Sequence, residues 1–348
     1  MRTYITASQD ASIYQRYPDN NAGLDEITEL GKLKKPLDTD TMYASASIRA
    51  LIGFDLTNIS SIPTSGASYF LNLFLANAQH VSRYQTLQVY PVSRSWIEGS
   101  GYFYQDVQNV QDGTTWASAS KTQHWTTAGG DYVTTPSASY TFYNTPISDI
   151  KIDVTNIISE VRNGTNQFVW NGLLIKLPNA DETSSLIDGN IKFFSDNTHT
   201  IFSPNLEVVW NDQEFTTGSL KPIPSNGNVS IIPKNIKEEY TRGEVDKIYF
   251  IVRDPYPDKR FDATQRYKNV YYLPSSSYYR ITDEGSGVKV HDFDAYSAID
   301  CDASGSYITL DTSGLGLDRY YDIELKVTTG GLVFFPEFKY TFKIDSDG

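Results

Sequence analysis

Cysteine is nearly missing from these 348 residues: Cys301 stands alone, so no internal disulfide staples the chain. Its setting, Ile299-Asp300-Cys301-Asp302, is acidic, which holds a thiol protonated and reads as a small buried apolar residue. Histidine is scarce too, and His80, His124, His199 and His291 show no metal-ligand spacing. Basic residues are outnumbered, 29 Lys and Arg against 42 Asp and Glu, for a net charge of −13. That balance excludes a nucleic-acid or anionic-membrane surface, since both need clustered cations to displace counterions. No run approaches the ~18 consecutive apolar residues of a membrane span. Met1 to Thr6 leads directly into a strand pattern without an apolar leader core, so a soluble protein made in the cytoplasm is expected. No GxSxG nucleophile motif is present, and neither Gly285-Ser286-Gly287 nor Gly314-Leu315-Gly316 precedes a phosphate-cradling helix. Asp292 and Asp294 flank Phe293 and read as an acidic strand edge that discourages sheet pairing. No catalytic set emerges, and a non-enzymatic role is expected.

Aromatic residues are abundant, with 25 tyrosines and 14% of the chain Phe, Trp or Tyr. The chain is organised around Leu87 to Trp116. Leu87 to Val92 alternates apolar and polar residues, the period of a half-buried strand. Ser95-Trp96-Ile97-Glu98 then turns through Gly99-Ser100-Gly101 into an aromatic tip, Tyr102-Phe103-Tyr104. Asp112-Gly113-Thr114-Thr115-Trp116 closes the excursion. Ala117 to Pro146 is irregular, rich in Ser, Thr, Gly and aromatics, and includes Trp125 and Tyr132; a connection that long is usually functional. The aromatic residues Trp96, Tyr102, Phe103, Tyr104, Trp116, Trp125 and Tyr132 are the candidates for a protein interface or for stacking on sugar rings, against the plainer reading that they pack loops onto the fold.

The spacing of short strands and turns predicts an all-β chain. Residues 1–212 read as a jelly-roll-like β-sandwich closed by a short helix, Asn156 to Arg162. Residues 213–227 carry the Pro and Gly of a linker, and 228–348 read as a smaller immunoglobulin-like β-sandwich. Arg49 falls at the margin of a core face and calls for a structural ion pair, with Asp55 as its candidate partner.

Several stretches occur together in one order: Asp10-Ala11, Asn20-Asn21-Ala22-Gly23, Arg49 to Leu56, the Trp96 to Trp116 excursion, Asp153-Val154-Thr155, Gly172 to Lys176, and Ser203 to Trp210. In this the chain resembles the DNRLRE-type β-sandwich, a relative of carbohydrate-binding modules. Further on, Val252 to Pro257, Leu273 to Tyr279, Asp292-Phe293-Asp294 and Cys301 to Tyr307 resemble C-terminal domains of virion structural proteins from contractile-tailed cyanophages. The resemblance implies a non-enzymatic phage virion component of the neck or collar, tail or capsid, present in symmetric multiple copies beside other virion proteins, made in the host cytoplasm and needing neither nucleic acid nor membrane. Its alternative is a carbohydrate-binding module that recognises host or environmental glycans. It also implies a possible structural Ca²⁺ site, with Asp10, Asp19, Asn20 and Asn21 as candidate ligands beside their ordinary role in turns.

Overall fold

The computed structural model describes residues 1–33, 46–57, 59, 62–63, 65–79, 81, 84–102, 112–143, 148–164, 169–184, 189–256, 270–337 and 339–345. The chain divides into two compact units: Tyr4–Val208, and Val209–Gly348 with Met1–Thr3. Each is a β-sandwich, so the fold is all-β as the strand periods predict.

In the first unit, one sheet orders Arg2–Thr6, Asn205–Trp210, Ala67–Leu73 and Ile150–Asp153. The other orders Ala138–Tyr143, Tyr84–Pro91, Leu173–Lys176, Ala46–Gly53, Ile27–Leu33, Gly189–Phe194 and Leu75–Gln79, with Gln9–Tyr14 also paired to Ala46–Gly53. Period-two burial along Tyr84–Pro91 and Ala67–Leu73 shows why these segments become strands: every second side chain leaves water. The two sheets meet across Leu30, Ala50, Ile52, Ile175 and Phe193 on one side and Leu73 on the other, which line one apolar space. Leu173–Lys176 is buried at every residue, as a strand covered on both faces must be.

The helix forms over Thr155–Asn163, buries Ile157 and Ile158 and ends at Gly164 in the left-handed region (φ 62°). Its Arg162 Nη2 donates to the carbonyls of Ile59 at 2.9 Å and Ile62 at 2.7 Å, tying the helix to the preceding loop. No helix among the described residues is long and apolar enough to cross a membrane.

In the second unit, one sheet runs Lys221–Pro222, Tyr271–Tyr272, Val245–Arg253, Gly305–Asp311 and Asp300–Asp302, with Ser230–Lys234 on Val245–Arg253. The facing sheet runs Glu239–Thr241, Tyr340–Asp345, Arg319–Thr329, Tyr278–Asp283 and Lys289–His291, with Leu332–Phe334 on Arg319–Thr329. Ile248, Phe250 and Leu310 from the first meet Tyr279, Ile281, Ile323 and Phe342 from the second in one core. Beyond Thr329, Leu332–Phe334 and Tyr340–Asp345 both pair with Arg319–Thr329.

The stretch read as a linker is part of this sandwich. Thr216 N donates to the Cys301 carbonyl at 2.8 Å, Lys221–Pro222 pairs with Tyr271–Tyr272, and Ile223 enters the core. Proline and glycine there punctuate a short edge strand instead of freeing the chain. Asp292 and Asp294 lie in a turn, not on a strand edge: Asp294 pairs with Arg2 and Asp292 with Lys289 at 3.3 Å, because turn carboxylates beside cations form ion pairs. Cys301 is buried, and burial pushes its thiol pKa up.

Candidate functional site

The excursion that begins at Trp96 is held at its base by one buried amide. Asn21 Nδ2 donates to the carbonyls of Glu98 at 2.6 Å and Thr114 at 2.7 Å, one on each arm of the loop. Its Oδ1 accepts from Gly101 N at 2.8 Å and Gly23 N at 3.3 Å. Both N–H groups and both lone pairs are thereby engaged, the full capacity of the side chain. Glycine is required where the arms meet: a Cβ on Gly113 would come within 2.3 Å of the Gly99 Cα. Asp112 accepts from Ser100 N at 2.9 Å and Ser100 Oγ at 2.6 Å, and these bonds, led by the hydroxyl's, hold its carboxyl below the usual range. From this clamp Tyr102 projects, 67% exposed. Phe103 and Tyr104 lie outside the described residues.

Beside the clamp three carboxylates gather. Asp10 on Gln9–Tyr14, Glu98 on the loop arm and Asp196 just past Gly189–Phe194 each bring an oxygen within 4.8 Å of the others. Asp10 Oδ2 accepts from Asp196 N at 2.7 Å and its Oδ1 from Thr28 Oγ1 at 3.1 Å. Glu98 Oε1 accepts from Asp10 N at 3.0 Å and Asn197 Nδ2 at 3.3 Å. Burial, then repulsion from Asp196, pushes the Asp10 carboxyl well above the carboxylate range. Burial, then repulsion from Glu98, raises Asp196 to about 7, and burial raises Glu98. Such a group either shares protons or receives a hard cation of the Ca²⁺ type, for which Asp10, Glu98 and Asp196 supply the oxygens. Of the expected ligands Asp10 belongs here, whereas Asp19 is exposed and outside the cluster, and Asn20 N closes a turn on the Tyr17 carbonyl at 3.1 Å. Glu98 and Asp196 escape a sequence reading because Ser195-Asp196-Asn197 looks like any turn.

Trp96, Trp116 and Trp125 do not form an exposed platform. Trp96, Trp116 and Trp125 share a buried cluster with Ala11, Ile13, Leu51 and Val92, with Tyr132 half-buried against it. Trp96 Nε1 donates to the Asn171 carbonyl at 2.8 Å and Trp125 Nε1 to the Thr115 carbonyl at 2.9 Å, so both indoles are satisfied inside. Tyr132 packs on Tyr90, ring centroids 4.8 Å apart. As docking or glycan candidates Trp96, Trp116 and Trp125 are therefore corrected to core residues: a sheet face this apolar draws the irregular segment down over it. Arg49 stacks on Trp116 and its Nε and Nη2 grip Glu182 at 2.9 and 2.8 Å, so its partner is Glu182, not Asp55. Lys176 Nζ joins the same carboxylate at 2.9 Å. Asp55 instead caps a turn at Thr57 N, 2.9 Å away.

No protein family matches the sequence, and no curated protein matches it. Among solved structures, a DUF4785 family protein from Legionella pneumophila aligns at 8% identity and a TM-score of 0.18, covering 99% of this chain and 65% of that one. A β-glucuronidase from Parabacteroides merdae aligns at 11% identity and a TM-score of 0.19, covering 88% and 28%. The tripod from the baseplate of bacteriophage Tuc2009 aligns at 9% identity and a TM-score of 0.15, covering 100% and 98%. The chain thus spans less than two thirds of the first two, and scores this low carry no argument about function.

Proposed function

We propose that the chain is a non-enzymatic structural component of a phage particle, docking on neck, tail or capsid proteins through the aromatic segment between Gly99 and Asp112. The observation that carries this reading is the clamp at Asn21, which fixes both arms of the loop while Tyr102 stands 67% exposed beyond it. An aromatic residue on a preorganised base gives contact area with little ordering cost, the property of an interface anchor. The order of motifs shared with DNRLRE-type sandwiches, and the cyanophage-like motifs of the second unit, support the same assignment. A net charge of −13 suits contacts with protein and opposes contacts with packaged DNA. Many copies arranged by the particle's symmetry would repeat this contact around an axis.

Quantitative mass spectrometry of purified particles tests it. The expected result is this chain in a fixed ratio to the portal or sheath protein. Its absence from particles overturns the assignment. Genes for portal, neck or sheath proteins beside its own are expected as well.

A further inference from the structure

In the second unit the strand Leu332–Phe334 pairs on one side with Arg319–Thr329, in the register Thr329↔Leu332, Thr328↔Val333 and Val327↔Phe334. On its other side it pairs with no strand among the described residues. Gly330 and Gly331 make the connection, both at positive φ (53° and 85°), as in a tight two-residue turn whose flanking residues, Thr329 and Leu332, form a hydrogen-bonded pair. Bonding alternates along an antiparallel ladder, so the N–H and C=O of Val333 point outward, away from Arg319–Thr329. Neither group has a partner among the described residues.

Edges that must stay single are blunted by charge, proline or a bulge. Residues 332–335, Leu-Val-Phe-Phe, carry none of these, and Leu332, Val333 and Phe335 are exposed. The strand is nonetheless held from both faces. A Cβ on Gly227 would come within 3.1 Å of the Phe334 ring and 3.3 Å of Leu332, and on the opposite face Phe335 packs on Phe293, ring centroids 5.9 Å apart. An edge fixed in this way needs little ordering when it pairs.

Charge and symmetry select the occupant. At a net charge of −13 two copies of the chain repel as wholes, so they meet most readily where the contact itself is neutral. Residues 332–335 hold no ionisable group, and the charges around Phe293 are the cations Arg280 and Lys326, 4.6 and 5.8 Å from its ring. A two-fold axis at Val333 sets this residue against its own counterpart, each N–H donating to the other's C=O, with Leu332 opposite Phe334 and Gly331 opposite Phe335 of the second copy. The last pairing is complementary in shape. A Cβ on Gly331 would meet nothing within 4 Å, and an exposed aromatic ring is what covers a bare glycine across an antiparallel pair. The glycine turn at one end and Pro336 at the other stop the strand, so pairing closes at two copies.

We propose that residues 332–335 are a self-pairing edge through which two copies of the chain join as an antiparallel, two-fold dimer. The contact lies in the second unit, uses none of the segment between Gly99 and Asp112, and stands whether or not the chain belongs to a particle.

Analytical ultracentrifugation of the full chain over a concentration series tests this, and a monomer–dimer equilibrium is expected. Val333→Lys sets like charges directly opposite each other and is expected to weaken the dimer about tenfold or more at an unchanged melting temperature. Val333→Cys is expected to give a disulfide-linked dimer on mild oxidation, since the ~5.5 Å Cα spacing of a bonded antiparallel pair lies within disulfide range. Cys301 is buried and does not compete, and Val245→Cys, exposed elsewhere in the same sandwich, is expected to stay single. A chain that is monomeric at every concentration, a dimer undiminished by Val333→Lys, or Val245→Cys cross-linking as readily as Val333→Cys overturns the proposal. Should Val333→Lys fail to fold, an undiminished dimer in Phe335→Asp overturns it.

Discussion

Asn21 shows how much one side chain can decide. Replacing it with Ala strips donors from two carbonyls on opposite arms of the loop and acceptors from two backbone N–H groups. Asn21→Ala is expected to destabilise the first unit by about 3 kcal/mol or more, since each buried group left unsatisfied costs ~1–3 kcal/mol; urea denaturation reads it, and a loss under about 1 kcal/mol would contradict the clamp. The sequence marks Asn20-Asn21-Ala22-Gly23 as a turn, but its role is hidden because its partners lie 77 and 93 residues away. The carboxylate trio is equally non-local, and its chemistry makes a pH prediction. A folded pKa raised above the unfolded value means the native state binds more protons, so the contribution is present below about pH 4 and lost as pH rises through about 7, the Asp196 value. Asp196→Asn removes one charge from the cluster. The variant is therefore expected to gain stability relative to the parent between pH 5 and pH 8, and paired thermal melts across that range read it. A constant difference, or one that shrinks, would contradict the shared burial of Asp10, Glu98 and Asp196.

At the scale of elements, alternation carried the reading wherever a strand has one wet face. Tyr84–Pro91, Ala67–Leu73 and Tyr278–Asp283 each show period-two burial and are visible in the sequence. Irregular segments are not visible, because what orders them is distant. Gly129 accepts Arg49 Nη1 at its carbonyl, 2.7 Å away, and a Cβ there would lie 2.6 Å from the same nitrogen. Asp131 accepts from Thr126 N and Thr127 N at 2.9 Å, and Tyr132 bridges to Val92. An aromatic segment rich in Ser and Gly thus becomes a lid on the sheet, and Trp125 becomes core. Trp125→Ala is accordingly expected to cost roughly 3–5 kcal/mol of stability, the usual loss for a buried large aromatic, measured by chemical denaturation. A fully stable Trp125→Ala protein would mean the side chain is not packed as described. The run Gly218 to Gly227 misleads for a related reason: its composition is that of a linker, yet Ile223 is buried in the second core and Lys221–Pro222 pairs with Tyr271–Tyr272.

For the whole molecule, two β-sandwich units follow from strand spacing. Tyr102 stands 67% exposed beside the Asn21 clamp, and Lys121 stands close enough to Asp112 to help lower its carboxyl pKa, which puts a lysine at that base. Tyr102→Asp, placing a charge on the exposed tip, is expected to leave the melting temperature unchanged and to reduce incorporation into particles severalfold, read by mass spectrometry of particles assembled with the variant. The most direct measurement is cross-linking mass spectrometry on intact particles. The account predicts links from Lys121 to a neck, tail or capsid protein; a chain present in particles whose links to other proteins all come from the second unit, with Lys121 joined to nothing, would contradict it.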